Sequence, residues 1–152
     1  MLLSELLTPE RVKVPLSGRS KDDVLSELVA LAMPSASASD TESILDSVRA
    51  RERQASTAMG EGVAIPHGRT SLLTELVIAA GIAPAAVDYG APDGEPVNLF
   101  FLLVGPESAG GAHVKALARI ARLLRRASLR GELRAVQTPA DFMALVRTSE
   151  AV

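Results

Sequence analysis

The chain has 152 residues, 47% of them hydrophobic and 22% charged, enough for one domain with a real core and unlike the composition of a disordered chain. With a net charge of -2, only 3% aromatic residues and no tryptophan, it offers neither an electrostatic footprint for nucleic acid nor platforms for stacking bases and sugars. Cysteine is absent, which excludes a disulfide framework, a thiol nucleophile and a cysteine-based zinc site. Residues 1–7 are apolar but carry Glu5 and lack a basic leader, and no apolar run approaches the roughly 18 residues of a membrane span. The expectation is a single cytoplasmic domain over residues 1–152, with no membrane insertion.

Thr8-Pro9-Glu10 has the cap and first-turn proline of a brief helical turn. Val12, Val14 and Leu16 alternate with polar or turn-forming residues, which predicts a strand. Ser20 and Asp23 form a variant of the capping box, and Val24, Leu25, Leu28, Val29 and Ala32 follow at helical spacing, predicting a helix over 21–33 that Pro34 stops. Residues 34–39 are a short low-complexity loop. Asp40 is the expected cap of a second helix ending near Gln54, with Ile44, Leu45 and Val48 on its apolar face. Its last turn holds Arg49, Arg51 and Arg53, which complement the helix dipole.

Beyond that helix lies Ser56-Thr57-Ala58-Met59-Gly60-Glu61-Gly62-Val63-Ala64-Ile65-Pro66-His67-Gly68. Residues 63–65 read as a short buried strand that Pro66 ends, because proline has no N–H for the ladder. Residues 76–82 predict another strand, continued weakly to Val87, and Asp93-Gly94 marks a turn. Residues 97–104 form the most hydrophobic segment and predict a central strand covered on both faces. His113 is the expected start of a helix with Leu117, Ile120, Ala121 and Leu124 as its buried stripe. Its many basic residues, Lys115, Arg119, Arg122, Arg125 and Arg126, are the ordinary solvated face of a surface helix. A short helix over 129–136 and a last one capped by Thr138-Pro139 complete the chain. Strands alternating with helices predict an α/β sandwich with a mixed sheet between helices.

The chain holds only two histidines, His67 and His113. A lone histidine beside apolar sequence is ordinarily a hydrogen-bonded structural residue, and one in the first turn of a helix ordinarily has no task. Read together, they suggest more. His67 stands at a strand end between Pro66 and Gly68, with the hydroxyls of Ser56 and Thr57 upstream and Gly60 and Gly62 permitting close backbone approach. His113 follows a flexible Gly110-Gly111 approach to a helix N-terminus, where amides favour anions. A phosphoryl group between them would meet a nucleophilic imidazole on one side and a hydrogen-bond donor on the other. Metal-ligand spacing, a nucleophile elbow, a Walker A loop and a dinucleotide fingerprint are all absent. A histidine relay needs no metal and no cofactor, and its phosphoryl donor can be another protein.

Arg51-Glu52, Ser56-Thr57 and Gly60-x-Gly62-Val63-Ala64-Ile65-Pro66-His67-Gly68 resemble the signature of type-2 enzyme IIA domains of the bacterial phosphoenolpyruvate-dependent phosphotransferase system, in the fructose/mannitol/nitrogen-regulatory branch. The segment from His113 to Leu124 resembles that family's second motif, and Asp93-Gly94-x-Pro96-Val97 resembles the approach to its central strand. The resemblance runs from about Leu6 to Val146. It implies an α/β sandwich and a phosphotransferase in which His67 accepts a phosphoryl group on Nε2 from a small histidine-containing phosphocarrier protein. It further implies that His113 stabilises the phosphoryl group, that Arg51 supplies positive charge, and that Thr57, with Ser56 close by, hydrogen-bonds phosphate oxygens. Onward partners would be a IIB permease domain in a sugar-specific member or regulatory target proteins in a nitrogen-regulatory one. A free-standing single domain fits the regulatory type better. Many members have asparagine where this chain has Glu61, whose carboxylate is expected to point away from a phosphoryl dianion.

Overall fold

The computed structural model describes residues 2–151. In chain order the elements are α1 (Leu3–Leu6), a 3-10 turn (Pro9–Arg11), β1 (Val12–Lys13), α2 (Lys21–Ala32), α3 (Ala38–Gln54), β2 (Ala58–Gly60), β3 (Val63–Ala64), β4 (His67–Arg69), β5 (Val77–Val87), β6 (Val97–Gly105), a second 3-10 turn (Glu107–Ala109), α4 (Gly110–Leu123), α5 (Ala127–Ala135) and α6 (Pro139–Glu150). One mixed sheet runs β1-β5-β6-β3-β2, and β4 also pairs with β6. The β5–β6 and β2–β3 pairs are antiparallel, while β1 on β5 and β3 and β4 on β6 are parallel. Residues 97–104 are therefore the central strand that their apolar run predicts.

Alternation along the strands divides the core in two. Val63, Ile65, Ile78, Ala80, Leu99, Phe101 and Leu103 face one layer, covered by α1, α4, α5 and α6. Ala64, Ala79, Phe100, Leu102 and Val104 face the other, covered by α2 and α3. This is the expected sandwich. Each large apolar side chain removed from water in these layers contributes about 1.5–3 kcal/mol, so β6, apolar on both faces, is the element on which the rest assembles.

Several boundaries differ from the sequence reading, each for a local reason. The strand at Val12 lasts two residues, because Pro15 offers no ladder donor; Leu16 then regains contact by donating to the Ile82 carbonyl, at 2.8 Å. Ser37, not Asp40, caps α3: its hydroxyl accepts the Asp40 N–H at 3.1 Å, and Asp40 sits within the first turn. The helix carrying His113 begins earlier, at Gly110, since glycine weakens a helix interior but is tolerated in its first turn. Its buried residues are His113, Ala116, Ile120 and Leu123, so the buried stripe is rotated from the one expected through Leu117 and Ala121. The most consequential difference is at Pro66. It interrupts the strand without ending it: the Pro66 carbonyl accepts from Leu103, at 3.0 Å, and pairing with β6 resumes at once with His67 opposite Leu103 and Arg69 opposite Gly105.

Candidate functional site

Strand geometry puts His67 where it is. Val63, Ile65, His67 and Arg69 occupy alternate positions of β3 and β4, so they share the face that carries α4. Gly68, between His67 and Arg69, faces α3 closely: a Cβ there would lie 2.8 Å from Val48 Cγ2 and 3.1 Å from the Val48 nitrogen. The glycine lets β4 lie against α3, and the Arg69 N–H locks that contact by donating to Ser47 Oγ at 2.8 Å.

The His67 ring is half-buried, and its Nδ1 lies 3.1 Å from the Ile65 carbonyl. A carbonyl only accepts, so Nδ1 carries the proton and donates, leaving the lone pair of Nε2 free. The Ile65–Pro66 bond is trans. Across from it, His113 of α4 stands with its ring centroid 4.9 Å away and its plane at 72°, edge to face. His113 is only 4% exposed, and neither of its ring nitrogens has a hydrogen-bond partner among the described residues.

Both imidazoles are held neutral. For His67 the cause is first burial, partly opposed by the Ile65 carbonyl, with the charges of Arg51 and Arg69 pushing further down, so its pKa lies below the ordinary 6.5. For His113 burial again comes first, then the charge of Arg69 and the neighbouring His67, and the pKa is pushed down to about 4. A neutral imidazole with a free Nε2 is the form in which histidine attacks phosphorus. A second neutral imidazole with unpartnered nitrogens can donate to the oxygens of the group attacked.

The other expected site residues are placed less directly. Arg51 is near enough for its charge to bear on His67, but its Nη1 donates to the Ala55 carbonyl at 2.8 Å, closing the end of α3. Ser56 Oγ accepts from the Ala58 N–H at 3.2 Å, which leaves its own hydrogen available. Thr57 is buried, and its hydroxyl is engaged by the Glu52 carboxylate and by Tyr89 Oη at 3.0 Å. The Tyr89 hydroxyl donates to Glu52 at 2.8 Å, and Lys21 Nζ pairs with Glu52 at 3.0 Å. Thr57 thus belongs to a buried network that ties α2, α3 and the β2 approach together. Sequence reasoning missed this network, although Glu52 beside Arg51 is a carboxylate on the inner side of a helix whose basic residues drew the attention.

The glycines upstream are not beside His67. Gly60, Glu61 and Gly62 all have positive φ, at 89°, 57° and 76°, and form the β2–β3 turn. Gly62 accepts from Asn98 at 3.0 Å, whereas His67 pairs with Leu103, which puts the turn about 17 Å away at roughly 3.3 Å per strand residue. There Glu61 gives its N–H to Asp93 Oδ2 at 3.1 Å, Arg134 bonds the Glu61 carbonyl, and Arg134 Nε donates to Asn98 at 2.9 Å. The Glu61 side chain is 75% exposed, 3.8 Å from Arg130. Its carboxylate points away from the histidines, as expected, and its basic neighbour is a residue of this chain. Arg69 is the functional candidate that sequence reasoning passed over. Taking Pro66 as the strand's end concealed that Arg69 repeats the alternation of Ile65 and His67.

Residues 5–149 match the family model described as phosphoenolpyruvate-dependent sugar phosphotransferase system, EIIA 2. The chain belongs to this family. Among curated EIIA relatives, the nitrogen regulatory protein of Bradyrhizobium diazoefficiens is 39% identical over 135 residues, covering 89% of this chain and 88% of that one. The fructose-specific EIIABC component of Bacillus subtilis is 35% identical over 133 residues, covering 88% of this chain and 21% of that longer protein. The crystal structure of nitrogen regulatory protein IIA-Ntr from Neisseria meningitidis superposes with a TM-score of 0.85 at 32% identity, over 95% of this chain and 98% of that one. IIA mannitol of Escherichia coli, at 14% identity and a TM-score of 0.75 over 91% of this chain and 97% of its own, shares the fold. The EIIA family assigns the chain a phosphotransfer role within the phosphotransferase system. No helix among the described residues is long and apolar enough to cross a membrane.

Proposed function

We propose that this EIIA domain is a phosphohistidine relay in which His67 Nε2 accepts the phosphoryl group from the phosphohistidine of a small phosphocarrier protein. The observation that carries the proposal is the Ile65 carbonyl on His67 Nδ1, which leaves Nε2 free beside the unpartnered nitrogens of His113. In the transfer, the Nε2 lone pair forms the new N–P bond as the donor's N–P bond breaks. The donor ring, starting as an imidazolium, keeps that bond's electron pair and leaves as a neutral imidazole. His67 keeps its Nδ1 proton on the Ile65 carbonyl and becomes the imidazolium bearing the phosphoryl group. No net proton moves, and catalysis reduces to positioning and charge stabilisation.

His113 donates to a phosphoryl oxygen, Arg51 adds positive charge, and Ser56 has a hydroxyl hydrogen to offer. Thr57 sets the approach to β2, and a contact of its hydroxyl to phosphate would have to compete with Glu52 and Tyr89. The domain works in the cytoplasm, where the phosphocarrier and phosphoenolpyruvate are found. We assign it to the nitrogen-regulatory type, on its 39% identity to one such protein and 32% identity to a IIA-Ntr structure. The sugar-specific alternative, in which the group passes on to a IIB domain, is supported by the likeness to the fructose-specific relative.

The test is phosphoryl transfer from phosphoenolpyruvate through enzyme I and a phosphocarrier, read by intact mass. An acid-labile, base-stable phosphate gain that vanishes in His67→Ala supports the relay. Labelling that persists in His67→Ala on another residue overturns the site assignment. Passage of the label to a fructose-type IIB domain would favour the sugar-specific reading.

A further inference from the structure

Arg69 is a charged side chain without a counterion among the described residues. Among the described residues it forms no salt bridge and its guanidinium no hydrogen bond, and its Nη1 is buried with no partner. A buried donor left unsatisfied ordinarily costs about 1–3 kcal/mol, and more when charged, so such a group calls for an explanation. The buried, unpartnered side-chain atoms of the described residues are Arg69 Nη1 and the two ring nitrogens of His113. All three belong to residues around the face of His67. Arg69 lies two positions beyond His67 on the same face of β4. Its positive charge is the largest one acting on His113 and also bears on His67.

What would satisfy these atoms together is an oxyanion with several acceptor oxygens. Among the described residues no carboxylate pairs with it. A planar guanidinium meets the oxygens of a phosphoryl group with fixed, directed N–H donors. Arg51, the arginine that the sequence pattern singles out, already has its Nη1 on the Ala55 carbonyl.

We propose that Arg69 is a phosphoryl-binding catalytic residue, its guanidinium donating to an oxygen of the group on His67 while His113 donates to another. The proposal rests on the reading of His67 as the acceptor. It adds to the charge of Arg51, at the end of α3, a guanidinium from the strand that carries the nucleophile. The arrangement has a consequence for the empty state: an unpartnered guanidinium and two neutral imidazoles are poised for an anion, so phosphorylation relieves a local cost.

The test compares wild type with Arg69→Gln, Arg69→Lys and Arg51→Gln. Single-turnover transfer from the phosphorylated carrier should be about a hundredfold slower in Arg69→Gln, the loss typical of one stabilising donor, with partial rescue in Arg69→Lys. The apparent Tm of the unphosphorylated protein should not fall, because the lost group had no partner there. The 31P resonance of the phosphorylated protein, followed against pH, should show the second ionisation of the phosphoryl group raised by about one unit in Arg69→Gln, as expected when a neighbouring positive charge is removed. A purely structural role would lower Tm and leave that ionisation unmoved. Wild-type rates and an unchanged 31P titration in Arg69→Gln, with the label still on His67, overturn this inference alone. Labelling that survives in His67→Ala overturns the relay reading beneath it.

Discussion

His67 and His113 stand edge to face, 4.9 Å between ring centroids, and only His67 is anchored, through Nδ1 on the Ile65 carbonyl. The pair is asymmetric by construction. One ring has its tautomer and direction set by the backbone, and the other is buried with both nitrogens free of partners among the described residues. This asymmetry is what supports the proposed roles, nucleophile for His67 and stabilising donor for His113.

Replacing each histidine should therefore give different failures. His67→Ala should accept no phosphate at all. His113→Ala should still dock the carrier and label slowly, by about two to three orders of magnitude, the usual cost of one lost transition-state donor. Rapid-quench labelling with the wild-type carrier measures both.

The pH dependence of acceptance follows from the depressed pKa of His67. An ordinary histidine is only about one quarter neutral at pH 6, so its rate would already have fallen. Burial, reinforced by Arg51 and Arg69, keeps His67 below 6.5. The labelling rate should hold to lower pH than an ordinary histidine allows, with its half-point below 6.5. A single-turnover pH profile with a half-point at or above 6.5 would contradict the burial argument.

Stability should respond to the same window. His113 titrates near 4 in the folded protein and near 6.5 when unfolded. Between those values the unfolded chain binds more protons, so stability rises with pH through this range. The contribution is complete above pH 6.5 and is lost as pH falls towards 4. Urea midpoints at pH 7.5 and pH 5 should differ measurably in wild type, and by less in His113→Gln, which has no proton to gain there.

Thr57 offers a sharp comparison between site and scaffold. Thr57→Val removes a donor from the buried Glu52 carboxylate and should cost about 1–3 kcal/mol of stability, with transfer slowed less than tenfold. Tyr89→Phe removes the other hydroxyl donor to Glu52 and should behave alike. If Thr57→Val slowed transfer a hundredfold at unchanged Tm, Thr57 would be a phosphate ligand instead of a network member.

Gly68→Ala should report on the seating of β4. The new Cβ would meet Val48 Cγ2 at 2.8 Å, and overpacking of this kind costs about 1–3 kcal/mol. Because the neighbouring residues are His67 and Arg69, transfer should also slow. A double substitution with Val48→Ala, which removes the opposing methyls, should recover part of both losses.

Residue identity and spacing determined most of the fold by themselves. The apolar run at 97–104 could only be a strand buried on both faces, and the helical stripes of α2 and α3 follow from apolar period. The two histidines were likewise legible, but the local preference of Pro66 misled, because its missing N–H interrupts the strand while pairing with β6 resumes at His67. Tertiary structure alone decided which groups meet. The Gly60-Glu61-Gly62 turn lies near His67 in sequence, yet β3 carries the chain away from it, so the turn answers to Asn98 and Arg134. Thr57 looks like a free hydroxyl until Glu52 and Tyr89, brought in by α3 and the end of β5, engage it. Arg69 is one more surface arginine in the sequence. It becomes a candidate phosphoryl ligand only because β4 resumes pairing with β6 after Pro66 and α4 then packs over the same face, leaving the buried Nη1 without a partner among the described residues.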